Sequence, residues 1–429
     1  MKKTNVLIFP SGAENAINIY DSLKYNLHFE LYGASSKEDH SEYIFDCNHL
    51  SYGNYNISDD NFFNNFNDLL KNKKIDYVFP THDEISTFLI KNEKRINAKV
   101  ICSPIETCET ALSKIKTAER LKNKGYYPKI YKKDDKIEFP VFIKPDIGAG
   151  AKDTHIVNDY NSLKNYCETG NYLISELLPG DELTVDCFTN KDRELLFIGP
   201  RTRERITNGV SFRSINVELT EEIKKIAHDL NKELVFRGLL FFQLKKDKNG
   251  KYKLLEFSIR SAGTMALYRQ LGINFAALSL FDFMGYDIKV LKNDFSIKLD
   301  RYYKSCYKTD IDYKNIYLDF DDTLIVNNKV NLTLIQLIYQ WKNEKKSIFL
   351  LTKHETDIYD DLKKFKIDKN LFDEIISVPL TENKSKYIKK RKAIFIDNYY
   401  FERESVLKNK KIPVFDVDAI ECLINTVGV

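Results

Sequence analysis

Three aspartates and a threonine follow an apolar run late in the chain, in the sequence IYLDFDDTLI (316–325). In a continuing strand, Asp319 and Asp321 would share one face of a sheet, because successive side chains alternate. Two carboxylates so close repel each other unless a cation lies between them or one is protonated. The pattern therefore predicts a cation-dependent acidic site at a strand end, where α/β sheets bind ligands. Capping of the next helix by Asp322 or Thr323 is the alternative.

A second chemically suggestive group lies in the middle of the chain. Lys144 ends an apolar strand in FPVFIKPDIGAGAKDTHIV, and Gly148 and Gly150 follow in a loop whose N–H groups can approach phosphate oxygens. Further on, Gln243 and Glu256 stand on two strands joined by a turn, which sets two oxygen ligands side by side for Mg²⁺ and nucleotide phosphates. A strand with a glycine turn is also a common structural element, so Lys144 by itself does not identify a site.

Two further positions have alternative interpretations. Arg260 follows Glu256 at i+4 and can neutralise a transferred phosphate, or it forms a surface ion pair on a hairpin. His82 and Asp83, in FPTHDEIST, follow a predicted strand of the N-terminal region. They either contact a carboxylate substrate or, in the case of Asp83, cap the next helix.

Three regions of secondary structure must position these groups. Residues 1–103 alternate short apolar strands with helical stretches, which predicts a parallel sheet with helices on its faces. Residues 104–300 begin with a helix and continue as paired strands separated by turns, which predicts an antiparallel α+β region. Strand–helix alternation returns over 313–429, after a polar linker. The predicted fold class is α/β and α+β multidomain, with these three ranges as domains.

Composition excludes several classes of protein. A chain of 429 residues is long enough for two or three domains, and a net charge of +4 without like-charge blocks argues against a nucleic-acid partner. No apolar run reaches membrane-spanning length, and the N-terminal run stops at Pro10 and is predicted to be a strand rather than a signal peptide. The 7 cysteines are scattered without metal spacing, as in a cytoplasmic protein with reduced thiols.

The central motifs, taken in order, resemble the ATP-grasp superfamily, in particular its carbamoyl-phosphate-synthetase-like branch, over about residues 1–290. The matching segments are SKIKTAERL, FPVFIKPDIGAGAK, LISELLPGDELTVD, IGPRTRERITNGVS, FFQL and LLEFSIRSAGTMAL. The resemblance implies a pre-ATP-grasp α/β domain followed by an ATP-grasp domain. It also implies an ADP-forming ligase that uses ATP and Mg²⁺ (or Mn²⁺) to convert a carboxylate into an acyl phosphate, which an amine then attacks to form an amide.

The same resemblance implies roles for individual residues. Arg201, Arg203 and Arg260 would face the γ-phosphate and the acyl phosphate, and Arg201 and Arg260 would be catalytic. Gln243 and Glu256 would hold the metal. The remaining nucleotide-binding residues would be Lys116, Lys144, Gly148, Gly150, Glu176 and Glu182. The chain departs from the family pattern at Ser258, where the sequence Glu-x-Asn-x-Arg has asparagine, and at Ala151, where the phosphate loop usually has serine.

The C-terminal motifs resemble the haloacid dehalogenase (HAD) superfamily over 313–429. The first is Asp319-Phe320-Asp321-Asp322-Thr323; the others are SIFLLT ending at Thr352, Lys384 (or Lys386) in ENKSKYI, and AIFIDN with Asp397. The resemblance implies a Rossmann-like phosphatase domain with Asp319 as nucleophile and Asp321 as general acid and base. Thr352 and Lys384 would bind the phosphoryl oxygens, and Asp319, Asp321 and Asp397 would hold Mg²⁺. Asn398 departs from the family, many members of which have a second acid there.

The gaps between the C-terminal motifs hold one helix-and-strand unit each, which predicts a domain without a cap over its site. The leading interpretation of the whole chain is a bifunctional enzyme. Its ligase part would join small-molecule carboxylate and amine substrates, either of which could be phosphorylated, and its phosphatase part would remove phosphate from a substrate or product of the same pathway. Sugar or polysaccharide modification is one suitable setting. The alternatives are a ligase with a non-catalytic HAD scaffold and a nucleotide-sensing regulatory protein; oligomeric state stays open.

Overall fold

The computed structural model describes residues 2–132, 135–148 and 150–427. Two compact units make up the chain, one ending at Tyr303 and the other beginning at Lys304. The predicted division at 103/104 falls inside the first unit and stays a prediction. In the described part of the chain, every helix is too short or too polar to cross a membrane.

The first unit opens with a five-stranded parallel sheet of order β3-β2-β1-β4-β5. Its strands are rich in Val, Leu, Ile and Phe and are largely buried, as expected for a parallel sheet covered on both faces. This confirms the parallel sheet predicted for residues 1–103. The elements are β1 (Thr4–Phe9), α1 (Glu14–Leu23), β2 (Phe29–Ser35), β3 (Leu50–Tyr52), α2 (Phe62–Asn72), β4 (Tyr77–Pro80), α3 (Asp83–Lys91) and β5 (Lys99–Val100).

The rest of the first unit holds three antiparallel sheets, as predicted for 104–300. One small sheet has the order β6-β9-β7-β8, the long sheet has β11-β10-β14-β15, and a third has β12-β13-β16. The elements are α4 (Ile105–Leu112), α5 (Lys114–Leu121), β6 (Ile130–Tyr131), β7 (Val141–Pro145), β8 (His155–Val157), α6 (Tyr160–Thr169), β9 (Tyr172–Glu176), β10 (Glu182–Thr189), β11 (Leu195–Thr202), β12 (Glu204–Thr207), β13 (Val210–Ile215), α7 (Glu221–Glu233), β14 (Gly238–Lys246), β15 (Tyr252–Ser258), α8 (Ala266–Gln270), α9 (Phe275–Phe283) and β16 (Lys298–Asp300).

The second unit is built on a five-stranded parallel sheet of order β21-β20-β17-β22-β23. Residues 320–384, all of which are described, form a short hairpin, two helices, two strands and 3₁₀ turns, and no separate domain. The elements are β17 (Asn315–Leu318), β18 (Ile325–Val326), β19 (Lys329–Val330), α10 (Leu332–Asn343), β20 (Ser347–Thr352), α11 (Ile358–Lys364), β21 (Glu374–Ser377), β22 (Ala393–Ile396), α12 (Tyr400–Lys410) and β23 (Val414–Phe415).

Local sequence explains why the helices begin where they do. Asn331 caps α10 by accepting hydrogen bonds from the N–H groups of Thr333 (3.1 Å) and Leu334 (3.3 Å). The buried face of α10 then carries Leu334, Leu337, Ile338 and Trp341, at the 3–4 residue spacing of an amphipathic helix. Trp341 is the only tryptophan of the chain and is fully buried in the core of the second unit.

The catalytic role predicted for Arg201 does not fit its position. Arg201 is 1% exposed and forms a two-pronged ion pair with Asp186 on the neighbouring strand β10, with Nε 2.6 Å from Oδ2 and Nη2 3.1 Å from Oδ1. Its Nη1 donates to the Thr264 and Ser214 hydroxyls. Burial raises the pKa of Asp186, against the opposing effect of the Arg201 charge. Each nitrogen of this guanidinium thus bonds within the protein interior, and the catalytic role of Arg201 stays a prediction that this position does not favour.

We expect Arg201→Ala to lower the free energy of unfolding of the first unit by about 3–5 kcal/mol, because it leaves the Asp186 carboxylate buried without a partner. Urea unfolding followed by far-UV circular dichroism measures the loss. The fluorescence of Trp341 reports the second unit in the same experiment, and its transition should not move.

The matched control is Arg213→Ala, which removes an ion pair with Asp300 (2.6 Å) between two partly exposed side chains. Exposed pairs contribute little, so this variant should unfold almost like the parent protein. Equal losses in the two variants would contradict the assignment of Arg201 to the interior framework.

Candidate active sites

A β-bulge in the long antiparallel sheet brings the central groups of the first unit together. Gln243 of β14 pairs with Glu256 of β15, but the next pair is Leu244 with Leu254, so Leu255 is left out of the ladder. The free carbonyl of Leu255 accepts a hydrogen bond of 2.7 Å from Nζ of Lys144, on β7 of a different sheet. The bulge therefore connects the predicted phosphate-binding lysine to the predicted metal-binding pair.

Lys144 is buried, with 8% of its surface exposed. Burial lowers the pKa of its ammonium group to about 8; Glu256 acts in the opposite direction, and the charge of Lys114 lowers it further. Within residues 2–132, 135–148 and 150–427, the Leu255 carbonyl is the only hydrogen-bond partner of this buried cation. Such an ammonium is under-neutralised, which suits a group that binds an anion.

Gln243 and Glu256 stand side by side as predicted. Nε2 of Gln243 donates to Oε1 of Glu256 at 2.8 Å. The amide oxygen of Gln243 and the second carboxylate oxygen of Glu256 make no hydrogen bond to any residue that the structure describes. Two hard oxygen donors thus face the same space.

Lys114, and not Lys116, reaches the cavities of the first unit. Nζ of Lys114 donates to the carbonyl of Gly148 at 2.9 Å, and the residue lines both cavities described below. Lys116 is half-exposed, lines neither cavity, and pairs with Glu109 at 2.8 Å. Residues two apart on a helix point in different directions, and α5 begins at Lys114. The nucleotide-binding role of Lys116 therefore stays a prediction, and Lys114 is the lysine of this pair that lines the cavities.

The first cavity has a volume of about 340 Å³ and combines an apolar end with a charged end. Glu176, at the end of β9, accepts a hydrogen bond from the Lys129 N–H (2.8 Å) and lines the cavity beside Leu177 and Leu178. Glu182 forms an ion pair with Arg203, with Oε1 and Nε 2.5 Å apart. The other lining residues include Pro128, Phe142, Lys144, Gly148, Gly150, Ile156, Gln243, Leu255 and Glu256.

The glycine loop closes over this cavity against the β12–β13 turn. Gly150 and Gly209 both have positive φ angles (68° and 72°), and a Cβ at Gly209 would lie 2.9 Å from the Gly150 carbonyl carbon. Nη2 of Arg203 donates to the Gly209 carbonyl at 2.8 Å. Arg203 thus holds the turn in place as well as lining the cavity; Ala149 of the loop lies outside the described residues.

The second cavity, of about 460 Å³, shares the Lys144, Gln243 and Glu256 wall with the first. Its far side is formed by His82, Asp83 and Arg260. The apolar part of the wall comes from Ala111, Leu112, Ile147, Val210 and Phe257. The two cavities therefore meet at the predicted metal-binding pair, Gln243 and Glu256, and the buried Lys144.

Asp83 links the N-terminal sheet to the end of β15. Its carboxylate accepts hydrogen bonds from the Ser258 hydroxyl (2.6 Å) and from Nε of Arg260 (2.9 Å). The N-cap of α3 is His82, without a side-chain cap bond, so Asp83 does not cap the helix. Burial and the Arg260 charge lower the pKa of His82. The hydroxyl of Ser258, at the position where the family has asparagine, is directed to Asp83.

In the second unit, three predicted residues converge at one edge of the sheet. Asp319 follows β17, Thr352 ends β20 and Asp397 follows β22; these strands are parallel neighbours, so their carboxyl ends meet. Nζ of Lys384 lies 2.5 Å from Asp319 Oδ1 and 2.6 Å from Asp397 Oδ2. Lys386 is exposed and pairs with Glu382, so the structure selects Lys384 of the two lysines.

The side chains of Asp319, Thr352, Lys384 and Asp397 are almost completely buried. Burial, reinforced by the Asp397 charge, raises the pKa of Asp319, and Lys384 opposes the shift. Burial likewise raises the pKa of Asp397. The Thr352 hydroxyl has no hydrogen-bond partner among the described residues. The site therefore has two carboxylates, Asp319 and Asp397, for the one ammonium of Lys384, so it lacks positive charge. It also lacks an acceptor for the Thr352 hydroxyl among the described residues.

The Asp321 side chain does not lie with these residues, although the C-terminal motifs predict Asp319, Asp321 and Asp397 together as ligands of Mg²⁺. Strand β17 ends at Leu318, and Asp322 has φ = 52°, so the chain turns and the shared-face argument fails. The Asp321 side chain is 53% exposed and lies 2.8 Å from Nδ1 of His354. The described residues contain no cluster of three or more His, Cys, Asp or Glu placed to hold a metal.

His354 is a site residue that the sequence interpretation missed. Its Nε2 lies 2.8 Å from Oδ2 of Asp361 and 2.8 Å from the Thr356 hydroxyl. Burial lowers the pKa of His354, but the hydrogen bonds that its ring nitrogens donate to the Asp321 and Asp361 carboxylates outweigh burial and hold the pKa above its ordinary value. The available signal was that His354 is the only histidine of residues 304–427 and lies two residues beyond a predicted strand-end threonine.

Asn398 has a structural role. Its N–H donates to the Thr323 hydroxyl at 3.0 Å, and its side-chain oxygen lies 3.3 Å from the same hydroxyl. Because Asn398 follows Asp397 directly, these bonds tie the loop after β22 to the loop after β17. Both loops carry a carboxylate of the site.

Residues 168–301 match the family model described as "ATP-grasp in the biosynthetic pathway with Ter operon". The first unit contains an ATP-grasp domain. Among solved structures, the chain is similar to the biotin carboxylase domain of Hydrogenobacter thermophilus 2-oxoglutarate carboxylase in complex with MgADP, with 14% identity, a TM-score of 0.57, and coverage of 70% of this chain and 74% of that one. No curated protein matches the chain.

Two other similar structures are ligases or synthetases. The L-amino acid ligase of Bacillus licheniformis has 19% identity and a TM-score of 0.52, covering 65% of this chain and 73% of that one. The N5-carboxyaminoimidazole synthetase of Staphylococcus aureus in complex with ADP has 14% identity and a TM-score of 0.55, covering 68% and 79%. At identities this low, the similarity to these structures shows the fold alone.

The donor set of the ATP-grasp domain fits Mg²⁺. Glu256 supplies a carboxylate and Gln243 an amide oxygen, both unpaired on one side among the described residues. Mg²⁺ in nucleotide sites is commonly held by one or two protein oxygens together with phosphates and water. Ser258 adds no donor, since its hydroxyl bonds to Asp83.

We expect Lys114→Met to weaken ATP binding to the ATP-grasp domain by about tenfold or more, because a charged hydrogen bond to phosphate contributes about 1.5–3 kcal/mol. Lys116→Met is the matched control and should change the dissociation constant little, since that ammonium is outside the cavities. Isothermal titration calorimetry at fixed salt measures both. A larger effect at Lys116 than at Lys114 would reverse the assignment.

ATP affinity should also fall as pH rises through about 8. The charged form of Lys144 is the form that attracts phosphate, and burial lowers its pKa to about 8 in the free protein. If only this form binds, the apparent affinity drops by about tenfold between pH 7 and pH 9. Lys144→Met should bind weakly at both pH values, and a steep pH dependence in that variant would assign the effect to another group.

Proposed function

We propose that the first unit is an ATP-dependent carboxylate–amine ligase. The observation that carries the proposal is the meeting of two cavities at Lys144, Gln243 and Glu256. One cavity has the apolar wall and glycine loop suited to a nucleotide, and the other has Arg260 at its far side, suited to an anion. The similar structures include an L-amino acid ligase and a synthetase in complex with ADP, which supports this class of reaction.

The chain's own residues account for the reaction in this proposal. Lys114 and Lys144 neutralise phosphate oxygens, and Arg260 attracts the substrate carboxylate. A carboxylate oxygen attacks the γ-phosphorus, the bond from that phosphorus to the β–γ bridging oxygen breaks, and ADP leaves with the electron pair. The amine then attacks the acyl carbon, inorganic phosphate leaves, and the amine proton passes to solvent. When bound by Glu256 and Gln243, Mg²⁺ supplies further positive charge at the phosphates.

We propose a second activity, HAD-type phosphomonoester hydrolysis, for the second unit. Its support is the contact of Lys384 with both Asp319 and Asp397, beside the Thr352 hydroxyl, which has no partner in the part of the chain that the structure describes. A phosphoryl group would provide acceptor oxygens for that hydroxyl and for the ammonium. Two carboxylates with one ammonium also leave a net negative charge that fits Mg²⁺ held by Asp319 and Asp397.

The hydrolytic steps use Asp319 and Asp321. An oxygen of Asp319 attacks phosphorus, the ester P–O bond breaks, and the leaving oxygen takes a proton from Asp321. Water then gives a proton to Asp321 and attacks the aspartyl phosphate, so the bond from Asp319 to phosphorus breaks and inorganic phosphate is released. When bound, Mg²⁺ stabilises negative charge on the phosphoryl oxygens.

The two activities together constitute the proposed bifunctional enzyme, acting in one pathway in the cytoplasm on small-molecule carboxylates, amines and phosphate esters. Modification of a sugar or polysaccharide is one setting for such a pair. A ligase with a non-catalytic second unit and a nucleotide-sensing regulator are the competing proposals. Ser258 and Asn398 are the departures that favour them, but each makes defined hydrogen bonds within its site.

Ligase activity is tested by ADP formation from ATP and Mg²⁺ against a panel of carboxylates with amines. We expect ADP only with a matching pair, with the amide identified by mass, and a loss of about 100-fold in turnover for Glu256→Gln. Glu119→Gln, an exposed glutamate of α5, is the control and should keep full activity. ATP binding without ADP formation from any pair would favour the sensing protein instead.

Phosphatase activity is tested by Mg²⁺-dependent phosphate release from p-nitrophenyl phosphate and from alkyl phosphates. Asp319→Asn should reduce release by about 1,000-fold or more, because it removes the nucleophile. Asp360→Asn makes the same chemical change at an exposed position and should have no effect. Release that is equal in the parent and Asp319→Asn would leave the second unit without its proposed activity.

A further inference from the structure

The imidazole of His354 lies between two carboxylates at the edge of the second unit's site. Its Nδ1 is 2.8 Å from Asp321 Oδ2, and its Nε2 is 2.8 Å from Asp361 Oδ2. The Thr356 hydroxyl contacts both Nε2 (2.8 Å) and Asp361 (3.0 Å). The ring edge packs on Phe320, with 5.2 Å between the ring centroids. The imidazole is therefore held on three sides.

Asp321 has little else to fix its side chain. It stands on the turn after β17, and 53% of its side chain is exposed, whereas the His354 side chain is 12% exposed. Its second oxygen, Oδ1, makes no hydrogen bond to any residue in the described ranges. A half-exposed carboxylate without a rigid partner samples several rotamers, and fixing it costs conformational entropy.

We propose that His354 is a positioning residue that orients Asp321 for proton transfer in the second unit. The inference rests on the proposed phosphatase activity. His354 fixes Oδ2 of Asp321 and leaves Oδ1 as the oxygen that gives the proton to the leaving group and later takes one from water. Asp361 and Thr356 contact Nε2 of His354 and thereby set the plane of the imidazole.

Simple surface stabilisation is a weaker account of the same contacts. Ion pairs with one exposed partner contribute little to stability. Here the exposed partner is the residue to which the first motif assigns proton transfer, and the half-buried partner is the only histidine of residues 304–427. A half-buried polar ring that orients an exposed carboxylate is the pattern of a supporting residue around reacting groups.

Three substitutions of His354 separate the two ring nitrogens. Asn has its amide nitrogen at the same number of bonds from Cβ as Nδ1, so His354→Asn keeps a donor toward Asp321. Gln places its amide nitrogen at the bond distance of Nε2, so His354→Gln keeps the contact to Asp361 and loses the one to Asp321. His354→Ala removes both contacts.

The readout is leaving-group dependence. An alkyl phosphate needs protonation of its leaving oxygen, whereas p-nitrophenolate leaves readily without it. General acid catalysis typically contributes about 100–10,000-fold, so losing orientation of the acid should lower kcat/KM for an alkyl phosphate such as ethyl phosphate by about tenfold or more. For p-nitrophenyl phosphate we expect kcat/KM to fall by less than about threefold for His354→Ala and His354→Gln. The comparison uses kcat/KM because this quantity reports the steps up to phosphoryl transfer and not the later hydrolysis, in which Asp321 acts as base for both substrates. His354→Asn should recover most of the ethyl phosphate activity.

Controls keep the outcome unambiguous. Asp360→Asn, next to Asp361 but exposed, should behave like the parent protein. Unfolding followed by Trp341 fluorescence should give the same midpoint for the Asn and Gln variants, so a folding defect cannot imitate the difference between them. Equal losses on both phosphates, or Asn and Gln variants that behave alike, would overturn the role of His354. Absence of any Asp319-dependent phosphate release would overturn the proposed phosphatase, and the role of His354 with it.

Discussion

The ATP-grasp domain depends on one irregularity in a regular sheet. Leu255 is left out of the β14–β15 ladder, and its carbonyl is thereby free to accept the hydrogen bond of Lys144. A buried ammonium needs a partner, and the bulge presents one from the long sheet to the small sheet. The same bulge lies beside the pair Gln243 and Glu256. One displaced residue thus joins two sheets and places a cation next to a carboxylate.

Each of the two sites contains charge that the surrounding protein groups do not balance. Lys144 has a carbonyl as its only hydrogen-bond partner among the described residues, while Asp319 and Asp397 share one ammonium. The first site lacks negative charge and the second lacks positive charge. A nucleotide phosphate would complete the former and, in the proposed phosphatase, a divalent cation would complete the latter.

The pair Arg201 and Asp186 shows the opposite case. Both side chains are buried, each nitrogen of the guanidinium has a hydrogen-bond partner, and neither residue lines the two cavities described above. A satisfied buried pair has nothing left to offer a ligand, whereas an unsatisfied one does. Arg203 and Arg260 also have hydrogen-bond or ion-pair partners, but each lines one of the two cavities, whereas Arg201 lines neither.

Much of this architecture follows directly from the sequence. Alternation of apolar strands and helices predicts the parallel sheets. Because the carboxyl ends of parallel strands lie at one edge of a sheet, Asp319, Thr352 and Asp397 could be predicted as neighbours. The pairing of Gln243 with Glu256 likewise follows from two strands and one turn. These relations depend on local pattern and on connectivity, both of which a single sequence contains.

Tertiary structure alone decided between residues two positions apart. Lys114 and Lys116, Arg201 and Arg203, and Asp319 and Asp321 each look equivalent in the sequence, yet one member of each pair lies in a different environment from the other. The reason is that an element begins or ends at each pair: α5 starts at Lys114, β11 ends at Thr202 and β17 ends at Leu318. Side-chain direction changes abruptly at such boundaries. The partner of Asp321, His354, lies 33 residues away, and only folding of the intervening helix and strand brings the two together.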